Sequence, residues 1–587
     1  MVSQICLDIE TDGLKPNKIH CLCLEDYETG EKWSFTSPSD IKEGQKLVDT
    51  YDEVIGHNLI SYDLPALEKI TGWVPKAKVI DTLVMSRLIF ADMYNDDAVK
   101  NWSPDVMPKR YWGSHALKAW GLRLGDHKGD YDGGWETLSH EMLVYCEQDV
   151  SLTLNVLRRL EKEGFSQESI DLEHSLAQIC YEVGNNGWTF NLEKAGQFYA
   201  ELSQKRSDLD EKLQTLFEPW VVEEDFYPKV NNKSRGYVKG ELFVKKTTIN
   251  FNPQSRHHIA FCLKSKYNWK PKVFTPSGEA KIDENTLKDL PFPEAKLLAE
   301  MFLLNKRISQ LAEGRGSWMK LCDLDGKLRH SIITGGTISG RASAKNFAAH
   351  TVPAVSAPYG NQCRELFGVP KGWSLVGSDL SGIEVRILAS MLHRYDGGEY
   401  CDIILNGDIH QYNADALGIS RQESKTWLYA TLFGAGNALI GKIVGGTAKD
   451  GKRLTENYKK TVPAFDRLKQ ELIKVFNKRG YILGLDKRKL YIRSQSRLLS
   501  QLLQSGGALV SKKWLQLVYH EIKKQNLNSN IVCWVHDELQ LSCENEEVGK
   551  IVSDITIRMA KEAGKAFALN IEINAESKSG TTWADTH

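Results

Sequence analysis

Two apolar segments far apart in the chain each end in an aspartate, and this pairing constrains the fold more than any other feature. "SLVGSD" ends at Asp379, while "NIVCWV" runs into His536, Asp537 and Glu538 within "VHDEL". Each segment has the length and apolar character of a buried strand. Strand ends of this kind can meet side by side in one sheet. Each aspartate taken alone is explained equally well as a turn or helix-capping residue.

If the two aspartates meet, they repel each other unless they share divalent cations, because a carboxylate removed from water is costly without a positive partner. A site with few oxygen ligands suits Mg²⁺, which keeps several waters and takes further ligands from substrate phosphates. The pair therefore predicts a magnesium site that acts on phosphates.

The stretch "GISRQESKTWLYATLFGAG" (418–436), between the two aspartates, predicts a phosphate-binding helix. Ser420 with Glu423 three residues later is a capping-box pattern. Four residues recur at intervals of four and form one slowly winding stripe: Arg421, Lys425, Tyr429 and Phe433. Two cations at a helix N-terminus would hold a triphosphate, and two aromatic rings would stack on a sugar and base. The alternative is a solvated charged face followed by core aromatics.

A second set of carboxylates lies in the first 165 residues. In "QICLDIETDG" the alternation places Asp8 and Glu10 on one face of a strand. "GHNLISYDLPAL" contributes Asp63, and a long amphipathic helix ending at Gly164 carries Tyr145 and Asp149 one turn apart. Carboxylates held together again suggest a metal; a solvated edge strand is the alternative.

Length and composition bound the remaining possibilities. With 587 residues the chain is too long for one hydrophobic core, so several domains are expected. The formal net charge of -1 does not indicate a nucleic-acid partner, so any such site must be a local basic groove. The 11 scattered cysteines suit a reducing compartment. Without a signal peptide or an apolar run of membrane-spanning length, a cytoplasmic protein is expected.

The motifs together resemble those of the DNA polymerase I family, family A. "SDLSGIEVR", "RQESKTWLYATLFG" and "VHDEL" resemble its A, B and C motifs, and "TISGRASAKN" resembles its template–primer contact motif. "APYGNQCRELFG" and "ILNGDIHQYNADALG" are similar to segments of the replicative polymerases of short-tailed bacteriophages. The resemblance implies a replicative enzyme encoded by a phage.

The fold implied by this resemblance is a multidomain α/β and α+β architecture. An RNase-H-like 3′–5′ exonuclease domain would precede a right-hand polymerase domain. The implied ranges are 1–165 for the exonuclease, 166–335 for the thumb and connecting helices, 336–394 for the first part of the palm, 395–485 for the fingers and 486–587 for the rest of the palm.

For the polymerase, the resemblance implies template-directed addition of dNTPs to a primer 3′ end by two-metal phosphoryl transfer. Two Mg²⁺ ions, for which Mn²⁺ can substitute, would be held by Asp379, Asp537 and the Leu380 carbonyl. Contacts to the dNTP are implied for His410, Arg421, Lys425, Tyr429, Phe433 and Glu384, the last as a steric gate against ribose. Contacts to primer–template DNA are implied for Arg341, Gln504 and His536. Phe433 and Ser500 stand where the family usually has tyrosine and asparagine.

For the amino-terminal domain, the resemblance is to 3′–5′ exonucleases of the DnaQ-like class. Two more Mg²⁺ ions would be held by Asp8, Glu10, Asp63 and Asp149, and Tyr145 would orient the attacking water. No exonuclease carboxylate is replaced, so proofreading should be active.

Primer–template DNA, dNTPs and a replicative helicase–primase are the implied partners, and no membrane is expected. Thioredoxin is not expected either, because residues 219–248 look too short for the thioredoxin-binding thumb insertion of the phage branch. This Lys-rich, Tyr-dotted stretch should form an extended hairpin or loop, which either touches DNA or is plain surface. Two other functions are compatible with parts of this pattern: a nuclease whose polymerase half only binds DNA, and a non-catalytic scaffold. Two intact carboxylate sets disfavour both, and Glu384 disfavours an RNA polymerase.

Overall fold

A computed structural model of the chain describes residues 2–126, 129 and 131–587. The chain divides into two compact units. The first comprises Met1–Thr189, Arg329–Val355 and Phe367–His587, and the second comprises Phe190–Leu328 and Ser356–Leu366. Among the described residues, no helix combines the length and the apolar character that a membrane span requires.

The first unit begins with a five-stranded mixed sheet. Its strands are β1 (Gln4–Thr11), β2 (Ile19–Asp26), β3 (Lys32–Phe35), β4 (Glu53–Gly56) and β5 (Lys78–Asp81). Their order is β3-β2-β1-β4-β5; β1, β2 and β3 are antiparallel neighbours, whereas β4 and β5 run parallel to β1. The helices of this region are α1 (Pro38–Val48), α2 (Asp63–Thr71), α3 (Thr82–Ile89), α4 (Met93–Lys100), α5 (Leu117–Leu124), α6 (His140–Glu161) and α7 (Gln167–Asn186).

The alternation predicted for β1 is confirmed by the two cores on opposite faces of this sheet. Ile5, Leu7 and Ile9 pack with buried residues of α1 and α2. Cys6 packs on the other face with buried residues of α3 and α6. Asp8 and Glu10 share the face of Cys6, because residues two apart in a strand point to the same side. The long predicted helix is α6, whose first turn is capped by the preceding serine.

A second sheet of the first unit has four antiparallel strands. They are β13 (Ser374–Leu380), β16 (Ser529–Val535), β17 (Glu538–Cys543) and β18 (Ala575–Gly580), in the order β16-β17-β13-β18. The helices α14 (Ile383–Asp396), α21 (Leu498–Lys524) and α22 (Glu546–Ala566) belong to the same core. In this core Trp514 is fully buried, and its Nε1 donates to the Thr556 carbonyl oxygen at 2.8 Å, which ties α21 to α22.

Between α14 and α21 the chain is mostly helical. The elements are α15 (Glu399–Asn406), α16 (Ile409–Leu417), α17 (Arg421–Leu432), α18 (Asn437–Ile443), α19 (Ala448–Thr461), α20 (Pro463–Arg479) and the hairpin of β14 (Tyr481–Leu483) with β15 (Lys489–Tyr491).

Earlier in the chain, a second hairpin joins β10 (His330–Ile333) to β11 (Ser343–Asn346). Three further short strands are β6 (Trp188–Phe190), β9 (Lys327–Leu328) and β12 (Phe367–Gly368).

The second unit is largely helical, as the sequence predicts for most of this region. Its helices are α8 (Leu192–Leu216), α9 (Arg256–Tyr267), α10 (Glu284–Lys288), α11 (Pro293–Ile308), α12 (Trp318–Leu321) and α13 (Gly360–Arg364). The hairpin expected within 219–248 is confirmed as β7 (Trp220–Phe226) paired with β8 (Phe243–Ile249). Part of its basic charge is neutralised across the strands, since Lys246 lies 2.8 Å from Glu223. Tyr237 packs edge-on against Phe243 rather than standing free.

The helix α7 belongs to the first unit, whereas the predicted range 166–335 groups it with the helices that follow. The five domain ranges inferred from the sequence stay predictions. An ion cluster inside the first unit holds α7 there. Arg488 donates to Glu173 of α7 at 2.9 Å and to Asp486 at 2.7 Å, and Lys512 of α21 contacts the same Glu173 carboxylate. Burial would raise the pKa of Glu173, but Lys512 and Arg488 lower it to about 2.

We expect Glu173→Gln to lower the free energy of unfolding by about 3–5 kcal/mol, because it leaves two buried cations with one carboxylate between them. Urea denaturation near pH 7 measures this. Since the pKa of Glu173 is lowered from 4.5 to about 2, the contribution is present above pH 4.5 and is lost as the pH falls toward 2. The matched control is Glu168→Gln on the same helix, which breaks an exposed 3.5 Å pair with Lys487 and should cost less than about 1 kcal/mol. Equal losses in the two variants would contradict this account.

Candidate active sites

The run "VHDEL" forms the tip of a hairpin, as the sequence predicts. β16 ends at Val535 and β17 begins at Glu538, so His536 and Asp537 make a two-residue turn. His536 has a φ of 57°, in the left-handed region that such turns require. Its carbonyl oxygen accepts a hydrogen bond from Ser511 of α21 at 2.6 Å, which fixes the tip against that helix.

The tip brings the two predicted aspartates together. In the β13–β17 register Asp379 is the partner of Glu538. One residue further on, the Leu380 N–H donates to the carbonyl oxygen of Asp537 at 3.0 Å. Asp379 and Asp537 therefore stand at neighbouring ends of adjacent strands, and the predicted meeting of the strand ends is confirmed.

The charges at this edge of the sheet are not balanced. Asp379 is an exposed residue, yet the neighbouring protein atoms desolvate its carboxyl; this desolvation, followed by the charges of Asp537 and Glu538, raises its pKa to about 7. Desolvation and then Glu384 raise the pKa of Asp537 to about 6. Oxygen donors that repel one another in this way are the ligand set that a hard divalent cation stabilises.

Glu538, the third ionisable residue of the run, has a different environment. It accepts hydrogen bonds from Trp583 Nε1 at 2.6 Å and Gln540 Nε2 at 2.8 Å, and it lies 3.0 Å from His587 Nε2. Although burial raises its pKa, His587 and these donors lower it overall. Glu538 thus anchors the C-terminal residues, a role that no local sequence pattern indicates.

One cleft at the tip is lined by Arg341, Glu384, His536 and Asp537. Arg341 donates to Glu384 at 2.7 Å, so the guanidinium lies beside the acidic residues rather than in solvent. The pKa of His536 is lowered by desolvation and then by the positive charge of Arg341. Gln504 is half-buried on α21, and Ser500 of that helix is buried with its Oγ donating to the Arg497 carbonyl oxygen at 3.0 Å.

The predicted phosphate-binding helix is α17, and its capping box is confirmed. Ser420 Oγ accepts from the Glu423 N–H at 3.2 Å, and Glu423 accepts from the Ser420 N–H at 2.8 Å. The helix ends at Leu432, so Phe433 is its C-cap rather than a helical residue. The Phe433 N–H still donates to the Tyr429 carbonyl oxygen at 2.9 Å, and the Phe433 ring is nearly parallel to that of Tyr429, with centroids 6.5 Å apart. The predicted stripe therefore extends to Phe433.

The stripe leads from exposed cations to the acidic tip. Arg421 and Lys425 are exposed, and Arg421 donates to Asp408 at 2.7 Å. Desolvation raises the pKa of Tyr429, and Glu384 and Asp537 add to the increase, so this ring lies close to the carboxylates. The His410 ring lies 6.3 Å from the Tyr429 ring.

The amino-terminal carboxylates also converge. Oxygens of Asp8 and Glu10 lie within 4.8 Å of each other and of Cys146 Sγ. Asp63, the first residue of α2, accepts from the Ile9 N–H at 3.3 Å. The pKa of Asp63 is raised to about 7, chiefly by burial and then by the charges of Asp81 and Asp149.

The remaining members of this set lie on α6. Asp149 is buried, and Tyr145 is half-buried one turn earlier on the helix. The Tyr145 ring lies 5.9 Å from that of Tyr131. The contact of Cys146 with Asp8 is a feature that the sequence analysis did not identify, because it joins residues far apart in the chain.

Comparisons with known proteins identify sequences and a structure that this chain resembles. A sequence model of DNA polymerase family A matches residues 233–585. The DNA-directed DNA polymerases of Enterobacteria phage T3 and Escherichia phage T7 are each 32% identical to this chain over 99% of its length, and the alignments cover 99% and 100% of those proteins. The solved structure of the "POL domain of Pol1 from M. smegmatis complex with DNA primer-template and dNTP" superposes with a TM-score of 0.77 at 16% identity, covering 100% of this chain and 96% of that one.

The pKa values of the aspartates at the hairpin tip generate a pH-dependent prediction. The pKa of the Asp379 carboxyl is raised from near 4 in the unfolded chain to about 7 in the folded chain. Such a carboxyl increasingly destabilises the folded state as the pH rises through this interval. Asp379→Asn should therefore raise the thermal midpoint at pH 8 in the presence of a chelator.

Added Mg²⁺ should raise the wild-type midpoint more at pH 8 than at pH 5.5, and Asp379→Asn should reduce that shift. Differential scanning calorimetry gives both results. Glu168→Gln, an exposed substitution on α7, is the control and should leave the Mg²⁺-induced shift unchanged. A Mg²⁺-induced shift that is the same in wild type and Asp379→Asn would contradict the prediction.

Proposed function

The chain belongs to DNA polymerase family A, and on that basis we propose that it extends a primer 3′ end with dNTPs by two-metal phosphoryl transfer and proofreads at a separate 3′–5′ exonuclease site. The polymerase part of this proposal rests on one observation: Asp379 and Asp537 meet at adjacent strand ends, and both have raised pKa values. The phage relatives support a role in phage genome replication.

Asp379, Asp537 and the Leu380 carbonyl would hold two Mg²⁺ ions, and Mn²⁺ would fit the same oxygen donors. Bound there, the ions would supply an activated primer 3′-hydroxyl and charge neutralisation for the leaving pyrophosphate. The hydrogen bond from Leu380 to the Asp537 carbonyl keeps the two strand ends in register. The Ser511 hydroxyl holds the turn that presents Asp537.

The incoming dNTP would lie along α17. Arg421, Lys425 and His410 would bind the triphosphate, and Arg421 would exchange its carboxylate partner Asp408 for phosphate oxygens. The rings of Tyr429 and Phe433 would stack on the sugar and base. Glu384, held by Arg341 at 2.7 Å, would close the space that a ribose 2′-hydroxyl needs.

Primer–template DNA would lie against the tip, where Arg341 and His536 line a small cleft together with the proposed catalytic Asp537. Arg341, His536 and Gln504 would contact the minor groove beside the primer end. Ser500 points its hydroxyl back to its own helix and would make no contact with the template. A helicase–primase remains the expected replisome partner, and thioredoxin is not expected to be one.

The exonuclease site would be formed by Asp8, Glu10, Asp63 and Asp149 as ligands of two further Mg²⁺ ions. The sheet order β3-β2-β1-β4-β5, with three antiparallel strands followed by two parallel ones, supports an RNase-H-like domain. Tyr145, one turn before Asp149 on α6, would orient the attacking water. Cytoplasmic action in the infected host follows from this proposal.

The two activities should be separable, because the two carboxylate sets lie on different sheets. We expect Asp8→Ala with Glu10→Ala to abolish degradation of single-stranded DNA and to leave primer extension near the wild-type rate. Asp537→Ala should reduce extension by at least about 10³-fold and spare degradation. Extension and degradation of one labelled primer, with and without dNTPs, are read on the same gel. Loss of extension in the folded exonuclease variant would show that the two-site proposal is wrong.

Tyr429 should make the enzyme tolerant of dideoxynucleotides. Its ring lies beside the acidic tip, where a phenolic hydroxyl can occupy the space left by a missing 3′-hydroxyl. Loss of a hydrogen bond to a charged group costs about 1.5–3 kcal/mol, roughly ten- to a hundredfold in selectivity. Competition between ddNTP and dNTP should give near parity for the wild type and strong discrimination for Tyr429→Phe. Equal ratios would mean that the hydroxyl plays no part.

A further inference from the structure

Three buried thiols border the amino-terminal carboxylates and have no part in the functions above. The β1–β2 register pairs Asp8 with Cys23 and Glu10 with Cys21. Directly paired residues share one face of a sheet, so each carboxylate has a thiol as its cross-strand neighbour. Cys146 reaches this face from α6, and its Sγ lies 3.4 Å from Asp8 Oδ2.

The three sulfur atoms are grouped closely enough to bind one ion. The Sγ atoms of Cys21, Cys23 and Cys146 all lie within 4.8 Å of one another. Tetrahedral zinc, with Zn–S bonds of about 2.3 Å, places its sulfur ligands roughly 3.8 Å apart, so only small rotations of the side chains are required. The three residues are at most 1% exposed, which makes the site dry and rich in sulfur.

We propose that Cys21, Cys23 and Cys146 bind a soft divalent cation, with Zn²⁺ as the expected occupant, and that its binding inhibits the neighbouring exonuclease site. Three S–H bonds are replaced by three Zn–S bonds, and the three protons leave to solvent; no oxidant or reductant is consumed. Thiolates select Zn²⁺ over Mg²⁺, whereas the carboxylates beside them prefer Mg²⁺. The two sets of ligands can therefore be adjacent and still take different ions.

The inhibition follows from the fourth position of the zinc tetrahedron. Oxygens of Asp8 and Glu10 lie within 4.8 Å of Cys146 Sγ, so either carboxylate can complete the coordination. A carboxylate used in this way is no longer available to Mg²⁺. This second half of the proposal rests on the proposed exonuclease activity, and the binding of the soft cation does not.

Titration of the full-length reduced chain with Co²⁺ tests whether the three thiols bind a cation, because thiolate ligands give Co²⁺ intense near-ultraviolet absorption. We expect one equivalent to bind with this band and Zn²⁺ to displace it. Cys21→Ser and Cys23→Ser should weaken binding at least tenfold. Cys6→Ser is the matched control: it is equally buried on the same face of β1, and its Sγ donates to the Val150 carbonyl oxygen outside the triad.

The proposed metal site would be wrong if Cys21→Ser and Cys23→Ser left the thiolate band unchanged. It would also be wrong if the wild type gave no such band at one equivalent of Co²⁺. Because a serine variant can fail to fold, X-ray absorption of the wild-type zinc complex provides a test without substitution. Three sulfur ligands at about 2.3 Å are expected. A shell of oxygen and nitrogen alone would equally overturn the proposal.

The inhibitory half is tested by single-strand degradation in excess Mg²⁺ with increasing Zn²⁺, each protein being normalised to its own zinc-free rate. Wild type and Cys6→Ser should lose at least tenfold in degradation while primer extension is retained, and Cys23→Ser should need at least tenfold more Zn²⁺. Equal sensitivity of Cys23→Ser and wild type would overturn the inhibitory role. If the wild type degrades no DNA even without Zn²⁺, the exonuclease proposal fails, and the Co²⁺ titration still decides the thiol site.

Discussion

Like-charged carboxylates held together at the ends of adjacent strands are the constraint on which the proposed polymerase site depends. Asp379 and Asp537 are kept in register by β-sheet hydrogen bonding. Desolvation raises both pKa values; the charge of Asp537 adds to the increase at Asp379, and the charge of Glu384 adds to the increase at Asp537. Such an arrangement costs folding free energy that hydrophobic packing of β13 and its covering helices must offset. It is the arrangement expected where divalent cations and phosphates complete the charge balance.

The rest of the first unit supports that edge. Ser511 of α21 fixes the turn, Glu538 fastens the C-terminal residues through Trp583 and His587, and α17 directs its aromatic stripe toward the carboxylates. The amino-terminal region repeats the same principle with Asp8 and Glu10 on β1, Asp63 on α2 and Asp149 on α6. Two acidic centres on different elements of the fold are the basis for the proposal that synthesis and proofreading are separate reactions.

Features encoded by a few neighbouring residues could be predicted from the sequence. The alternation in β1, the capping box of α17, the hairpin of β7 with β8 and the tip at Asp537 depend on local periodicity and turn geometry, and the structure confirms them.

Contacts between distant segments could not be predicted in the same way. The anchoring of Glu538 by Trp583, the contact of Cys146 with Asp8 and the pairing of Arg488 with Glu173 join residues that are 45, 138 and 315 positions apart. The placement of α7 in the first unit depends on buried charges whose partners lie more than 300 residues away.

The central claim is that the paired aspartates at the hairpin tip are ligands of divalent cations. A crystal structure of the full chain with primer–template DNA, a non-hydrolysable dNTP analogue and Mn²⁺, analysed by anomalous scattering, tests it most directly. The account predicts two manganese ions at the tip, both bound by carboxylate oxygens of Asp379 and Asp537, beside the triphosphate. Manganese bound elsewhere, with the two aspartates contacting no ion while the nucleotide is in place, would contradict it.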